Sequence, residues 1–340
     1  MTNGSVISGS VTNGGEFDVQ VLGSGVVGLT TAITLAEAGL HVGVRTASPP
    51  AATTSAAAGA VWGPVTCGPA DRTYEWARTG LAVFRDLETD PAAGVTTRRG
   101  REISRVPAQP PGWLNLVPDL EFLPEEELPP GFATGWRYSA PVITMATYLE
   151  YLRTRLERAG VEIDVNPITS LTEVTQHAHG APVIVNCTGV AARTLVPDPA
   201  VHPIRGQVVV IANPGIEEFT IDHSDGPAAV TYLFPHRDTV LLGGTMDDGD
   251  GDTEPRPEVA ERIIAGCARI EPKVRQAPVL GHRVGLRPGR PEVRLDAEPL
   301  DGGRVLWHNY GHGGAGVTLS WACAREIAAG VLGHEVLGRE

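Results

Sequence analysis

Three glycines spaced as Gly23-Ser24-Gly25-Val26-Val27-Gly28 follow a short apolar run, Phe17 to Leu22, and precede a stretch with helical spacing, Leu29 to Ala38. No other feature constrains the fold as strongly. The first glycine permits a tight turn, the second lets backbone approach a pyrophosphate, and the third lets helix and strand pack closely. Free N–H groups at the helix start carry partial positive charge and suit phosphate. Gly39 stops the helix and His41 to Val44 restarts a strand. Strand, turn, helix, strand is the opening of a Rossmann-type, dinucleotide-binding sheet. The plain alternative is a tight turn with no ligand.

The acidic residue that usually meets the ribose at the end of the second strand is missing, and Val44-Arg45-Thr46-Ala47-Ser48 stands there. Either Thr46 or Ser48 does that work, or Arg45 contacts phosphate or adenine, or Arg45 marks an NADP site. These residues alone leave the choice open.

At 340 residues the chain suits two domains. Helical patterns run from Thr73 to Leu87, Thr147 to Ala159, Pro257 to Ile270 and Thr318 to Leu332. Strand patterns fall at Val161 to Val165, Pro182 to Val185, Gln207 to Ile211 and Thr239 to Leu242. Residues 49–60 and the proline-rich, acidic stretch Arg105 to Pro130 read as loops. The βα segments interleave with sheet-rich ones, so each domain draws on discontinuous sequence. The expected partition is a flexible arm at 1–16, a Rossmann-type domain from 17–70, 145–200 and 281–340, and an α+β substrate domain on an antiparallel sheet from 71–144 and 201–280.

A net charge of −13 argues against nucleic acid or an anionic membrane as partner. Lys273 is the only lysine, which nearly removes Schiff-base chemistry. Cys67, Cys187, Cys267 and Cys323 form no CxxC pair and read as reduced thiols of a cytoplasmic protein. The first sixteen residues lack the basic and apolar regions of a signal peptide. No apolar run is long enough to span a bilayer.

Four further segments resemble the D-amino-acid oxidase family in order and spacing, over roughly residues 17–335. They are Ala58-Gly59-Ala60-Val61-Trp62 after Thr53, Thr54 and Ser55; Val185-Asn186-Cys187-Thr188-Gly189-Val190; Gly285-Leu286-Arg287-Pro288-Gly289-Arg290-Pro291; and His308-Asn309-Tyr310-Gly311-His312-Gly313-Gly314-Ala315-Gly316-Val317-Thr318. The resemblance implies FAD as cofactor, a D-amino acid as substrate and molecular oxygen as electron acceptor. It assigns Arg287 and Tyr232 to the substrate carboxylate and the Gly314 carbonyl to the substrate amine. It assigns cofactor contacts to Gly23, Gly25, Val26, Val27, Gly28, Arg45, Thr46, Thr53, Thr54, Ser55, Gly59, Ala60, Val61, Ile168, Thr188, Gly189, Gly313, Gly314, Ala315, Gly316, Val317 and Thr318. Arg290 is given no substrate role and reads as structural. Hydride transfer to the flavin N5, hydrolysis of the imino acid and release of hydrogen peroxide follow from the same resemblance.

Two positions depart from the pattern: Ala228 replaces a second pocket tyrosine, and Ala315 replaces an aromatic beside the flavin loop. Met246, Asp247 and Asp248 stand where D-aspartate oxidases tend to carry an arginine, so neutral D-amino acids are expected over acidic ones. The alternatives are a glycine- or sarcosine-type amine oxidase, a flavin-dependent D-amino acid dehydrogenase, and, from another class, an NADP-dependent reductase or a dinucleotide-binding protein without catalysis. A homodimer is allowed, and nothing in the sequence decides it. No metal site is expected. His308 and His312 sit in a glycine-rich loop without a carboxylate ligand, and His177 and His179 read as exposed in a polar loop. Asp247 to Asp252 lacks the glycine and glutamate of a calcium loop and reads as a solvated turn. No GxSxG is present, which disfavours a hydrolase.

Overall fold

The computed structural model describes residues 17–64, 67–177, 180–226 and 230–337. The arm at 1–16, Ala228 and His179 lie outside them.

The chain opens with β1 (Val19–Leu22), α1 (Val26–Glu37) and β2 (Val42–Thr46), the unit that the glycine spacing predicts. Next come α2 (Ala70–Leu87), β3 (Val95–Ser104), β4 (Glu121–Phe122), β5 (Thr134–Ile143), α3 (Met145–Arg158), β6 (Ile163–Val165), α4 (Leu171–His177), β7 (Val183–Asn186) and α5 (Ala192–Leu195). The remainder is β8 (His202–Ala212), β9 (Phe219–Asp222), β10 (Thr231–Pro235), β11 (Thr239–Gly243), β12 (Asp247–Asp248), α6 (Pro257–Ile270), β13 (Val279–Gly289), β14 (Arg294–Leu300), β15 (Arg304–Tyr310) and α7 (Gly316–Leu337).

Among the described residues these strands form two sheets. The first has the order β14-β15-β7-β1-β2-β6. Its inner pairs are parallel, and β14 joins β15 antiparallel at the edge. Its central strand β1 is buried along its whole length, as a parallel strand covered on both faces must be. The second sheet runs β12-β8-β11-β10-β9-β3-β5-β4, with β13 paired to β8. It is antiparallel apart from the β3–β9 pair.

The expected partition needs two corrections. Residue 281 falls inside β13, which pairs with β8 for ten register positions and so belongs to the second sheet. Helix α2 packs chiefly on α7, a helix of the first sheet, and only marginally on β3 and β5, so residues 70–87 side with the first sheet. The contact is close: a Cβ on Gly80 would lie 2.1 Å from the Thr318 carbonyl oxygen. Strand β13 was hidden because its glycines and Pro288 break the alternating pattern that marks a strand.

Candidate active site

A cavity of about 670 Å³ lies between the two sheets, within the size range of small-molecule and cofactor sites. One end starts at the α1 N-terminus, where Gly25, Val26 and Val27 form the wall. Two glycines of the turn admit no side chain. Gly23 has φ +103, and a Cβ on Gly28 would lie 2.0 Å from the Gly23 carbonyl oxygen. The Ser55 hydroxyl accepts the Val26 N–H at 2.9 Å and braces the helix start. The first turn of α1 carries no acidic residue, so its partial positive charge is not neutralised there.

Gly59, Ala60 and Val61 continue the wall, with Ala60 at φ 55. Thr188 and Gly189 face them from the end of β7, where Thr188 donates both its N–H and its hydroxyl to Asn186 Oδ1. Gly313, Gly314, Gly316, Val317 and Thr318 close this side. The Gly313 N–H donates to the Pro288 carbonyl at 2.9 Å, which latches the glycine turn to the residue after Arg287. Thr318 bonds the Gly63 backbone through both its donor and acceptor capacity.

The other end is the cavity-facing side of the second sheet. Cross-strand partners point to the same face, and the register sets Gly243, Tyr232, Ile221, Glu102 and Trp136 side by side on five adjacent strands. Arg287, on β13, comes in from the far side of β8. Its Nη1 donates to the Thr245 carbonyl at 2.9 Å. The sheet is bared under both polar side chains: an added Cβ on Gly206 would lie 2.3 Å from Arg287 Nη1, and one on Gly243 would lie 2.0 Å from Tyr232 Cζ. Tyr232 also stacks on Phe234, with ring centroids 4.3 Å apart. Burial raises the Tyr232 phenol above its usual pKa, and the Arg287 charge opposes the rise. The phenol therefore remains a donor at neutral pH beside a permanent cation, a pair suited to a carboxylate.

Several expected cofactor residues do not line this cavity. Arg45 donates to the carbonyls of Asn166 and Pro167, both at 3.0 Å, and ion-pairs with Glu173. Its guanidinium thus ties β2 to the loop after β6, which removes the basis for an NADP reading. Thr46 is buried behind the glycine turn, where its hydroxyl meets Ser24 and the Ser48 carbonyl. Thr53 turns back to the Pro50 carbonyl. Ile168 packs on the small apolar cluster of Leu22, Val174 and Ile184. Ala315 is fully buried beneath the turn and does not line the cavity, so its small size does not widen the site. Arg290 is structural, as expected, bonding Asp198 and the Glu292 carbonyl.

The acidic turn is not simply solvated. Buried Arg205 reaches the carbonyls of Asp252 and Glu254, and Arg256 pairs with Asp250 and Asp252. His308 lies within β15 rather than a loop, and His177 ends α4. Among the described residues no cluster of ligands could hold a metal ion, and no helix is long and apolar enough to cross a membrane.

Sequence reasoning missed the second sheet's contribution: Glu102, Tyr138, Trp136, His223 and Trp113 all line the cavity. Their strands hold charged residues on the outward face, such as Arg99, Arg101 and Arg137, which hid the alternation. The signal was present in the alternating Gly100, Glu102 and Ser104 and in Trp136 and Tyr138.

The cavity fits FAD. Glycines at the turn, with the Ser24 side chain turned back to Thr46 and the Ser48 carbonyl, leave room for a pyrophosphate at a helix start that carries no acidic residue, and a mainly apolar channel leads from it to the glycine turn. Two polar groups in that wall, Asn309 Oδ1 and His312 Nε2, are buried without a partner among the described residues. Burial holds His312 neutral, with its pKa lowered to about 4.

A family model described as FAD dependent oxidoreductase matches residues 18–329. The chain is 49% identical to a D-amino-acid oxidase of Rubrobacter xylanophilus, covering 91% of this chain and 94% of that one. It is 43% identical to a D-amino-acid oxidase of Streptomyces coelicolor, covering 92% and 95%. Among solved structures, a glycine oxidase from Bacillus cereus superposes with a TM-score of 0.78 at 19% identity, covering 94% of this chain and 96% of that one, a likeness of fold.

Proposed function

The chain belongs to the FAD-dependent oxidoreductase family, and from that premise we propose that it oxidises D-amino acids, with FAD as cofactor, to 2-oxo acids, ammonia and hydrogen peroxide. Substantial identity to two D-amino-acid oxidases over nearly the whole chain supports this reading. The structural observation that carries it is the Arg287–Tyr232 pair set on a glycine floor and latched, through Pro288, to the glycine turn. A glycine or sarcosine oxidase shares the fold but is not favoured by the identities.

Gly25, Val26 and Val27 would hold the pyrophosphate, with Ser55, Thr188 and Gly189 at its flanks. Gly313, Gly314, Gly316, Val317 and Thr318 would border the flavin ring. FAD, when bound, supplies the acceptor for the substrate's α-hydride and is returned to its oxidised form by molecular oxygen with release of hydrogen peroxide. The protein's task is orientation. Arg287 offers its guanidinium fork to the substrate carboxylate, and the Tyr232 phenol donates to the same group. The Gly314 carbonyl accepts from the substrate amine. Three fixed points define which face of the α-carbon meets the cofactor, so handedness follows from the anchor rather than from an acid–base group. Trp62, Trp113 and Trp136 make much of the wall apolar and limit water at the reacting carbon. Loss of hydride leaves an imino acid, whose hydrolysis consumes water and gives the 2-oxo acid and ammonia.

Four unpaired cysteines, three of them buried, support a cytoplasmic placement. The test is anaerobic mixing of the FAD-loaded protein with D-valine and L-valine. The flavin absorbance bleaches with the D-enantiomer alone; equal bleaching by both, or by neither across a panel of D-amino acids, rejects the proposal.

A further inference from the structure

The sheet face that carries Tyr232 also carries a buried carboxylate that the reaction does not use. Glu102 is 2% exposed and lines the cavity. One of its oxygens accepts the Tyr138 hydroxyl at 2.5 Å, and the other lies 2.8 Å from His223 Nε2. His223 in turn stacks on Trp136. A carboxylate offers about four lone-pair directions, and these two partners leave acceptor capacity. A wall that merely excluded water would not need a carboxylate, whose desolvation is costly.

Its position is set by the register. Tyr232 pairs with Ile221, and Ile221 with Glu102, so Glu102 lies two strands from the carboxylate anchor on the same face. Two strand spacings amount to about 10 Å. Four methylenes and an ammonium extend roughly 6 Å from an α-carbon, and the anchored α-carboxylate lies on the other side of that carbon. An amino acid held by Arg287 and Tyr232 can thus direct a long side chain along the sheet toward Glu102. Strand alternation puts Arg101 and Arg137 on the opposite face. The charged or titratable groups facing the cavity here are therefore Glu102, His223 and Tyr138, with Arg287 at the far end.

We infer that Glu102, oriented by Tyr138 and His223, is a specificity-determining residue that makes this end of the cavity a subsite for cationic side chains, so that D-amino acids ending in an ammonium or guanidinium are preferred substrates. The inference rests on the D-amino-acid oxidase reading above. It also predicts poor use of acidic D-amino acids, whose second carboxylate would meet Glu102.

D-Lysine and D-norleucine have the same carbon skeleton and differ in the terminal ammonium. In the FAD-loaded wild-type protein, kcat/KM for D-lysine exceeds that for D-norleucine by about tenfold or more, and Glu102→Gln lowers this ratio at least tenfold. Tyr138→Phe, which keeps the ring and the carboxylate but removes one of the two bonds that orient it, lowers the ratio while leaving it above one, and serves if the glutamine variant does not fold; an unchanged ratio in it overturns the orienting role. A wild-type ratio at or below one overturns the subsite, as does a Glu102→Gln variant in which both substrates fall in proportion. Failure of both substrates, with every other D-amino acid also silent, instead overturns the oxidase reading on which the subsite rests.

Discussion

Tyr232 occupies the space that a side chain on Gly243 would fill, its Cζ only 2.0 Å from where that Cβ would stand. The phenol is thus seated by an absence on the neighbouring strand. Gly243→Ala is expected to push Tyr232 off its seat while leaving the distant phosphate turn intact. The variant should keep its flavin absorbance and lose at least tenfold in kcat/KM for D-amino acids. Steady-state kinetics on flavin-matched protein checks this; unchanged kinetics would mean that Tyr232 does not touch substrate.

Arg287 is expected to carry more of the binding. A hydrogen bond to a charged group contributes about 1.5–3 kcal/mol, so Arg287→Ala should lower kcat/KM by roughly ten- to a hundredfold or more. Lysine at this position keeps the charge but loses the fork, and should recover only part of the loss. A saturating plot for D-alanine with wild-type parameters in the alanine variant would remove Arg287 from the site.

Gly28→Ala addresses the other end. Its Cβ would meet backbone, the Gly23 carbonyl oxygen at 2.0 Å, and no rotamer change relieves that contact. The purified variant is expected to lose its flavin, read as the ratio of visible to ultraviolet absorbance. A fully yellow Gly28→Ala protein would contradict the assigned phosphate turn.

Much of the first sheet was legible in the sequence because its signals are local. The glycine spacing placed β1, the turn and α1; the helix Pro257–Ile270, which packs on the second sheet, was legible to its ends for the same reason, since its period is local. The loop around Gly313 was legible as a pattern of glycines. The second sheet was less so. Its strands pair over long sequence separations, and β3, β5 and β13 are broken by arginines, glycines and prolines, so they gave no simple apolar run. Arg45 shows the limit of motif reasoning. Its place near the end of β2 pointed to a nucleotide, yet Glu173 and two carbonyls more than a hundred residues away hold it. Glu102 was missed for the same reason: its meaning depends on Tyr138 and His223, which only the folded sheet brings to it.

Two buried histidines make the fold sensitive to mild acid. Burial lowers the pKa of His312 to about 4, and burial with the charges of Arg98 and Arg283 lowers His236 to about 4. In the unfolded chain each titrates near 6.5. Between those values the unfolded state binds more protons, so stability falls as pH drops from about 6.5 toward 4. Each histidine withdraws up to roughly 3 kcal/mol over that window. Denaturant unfolding at pH 7 and pH 4.5 should show the drop, and His236→Gln should make it smaller. A flat profile in the wild-type protein would contradict the buried neutral state.

The most direct measurement is peroxide production by the FAD-loaded protein across matched D- and L-amino acids and glycine. Peroxide with D-enantiomers alone is the predicted result. Peroxide from glycine or L-enantiomers at comparable rates, or none from any D-amino acid by a yellow, folded protein, would contradict the assignment.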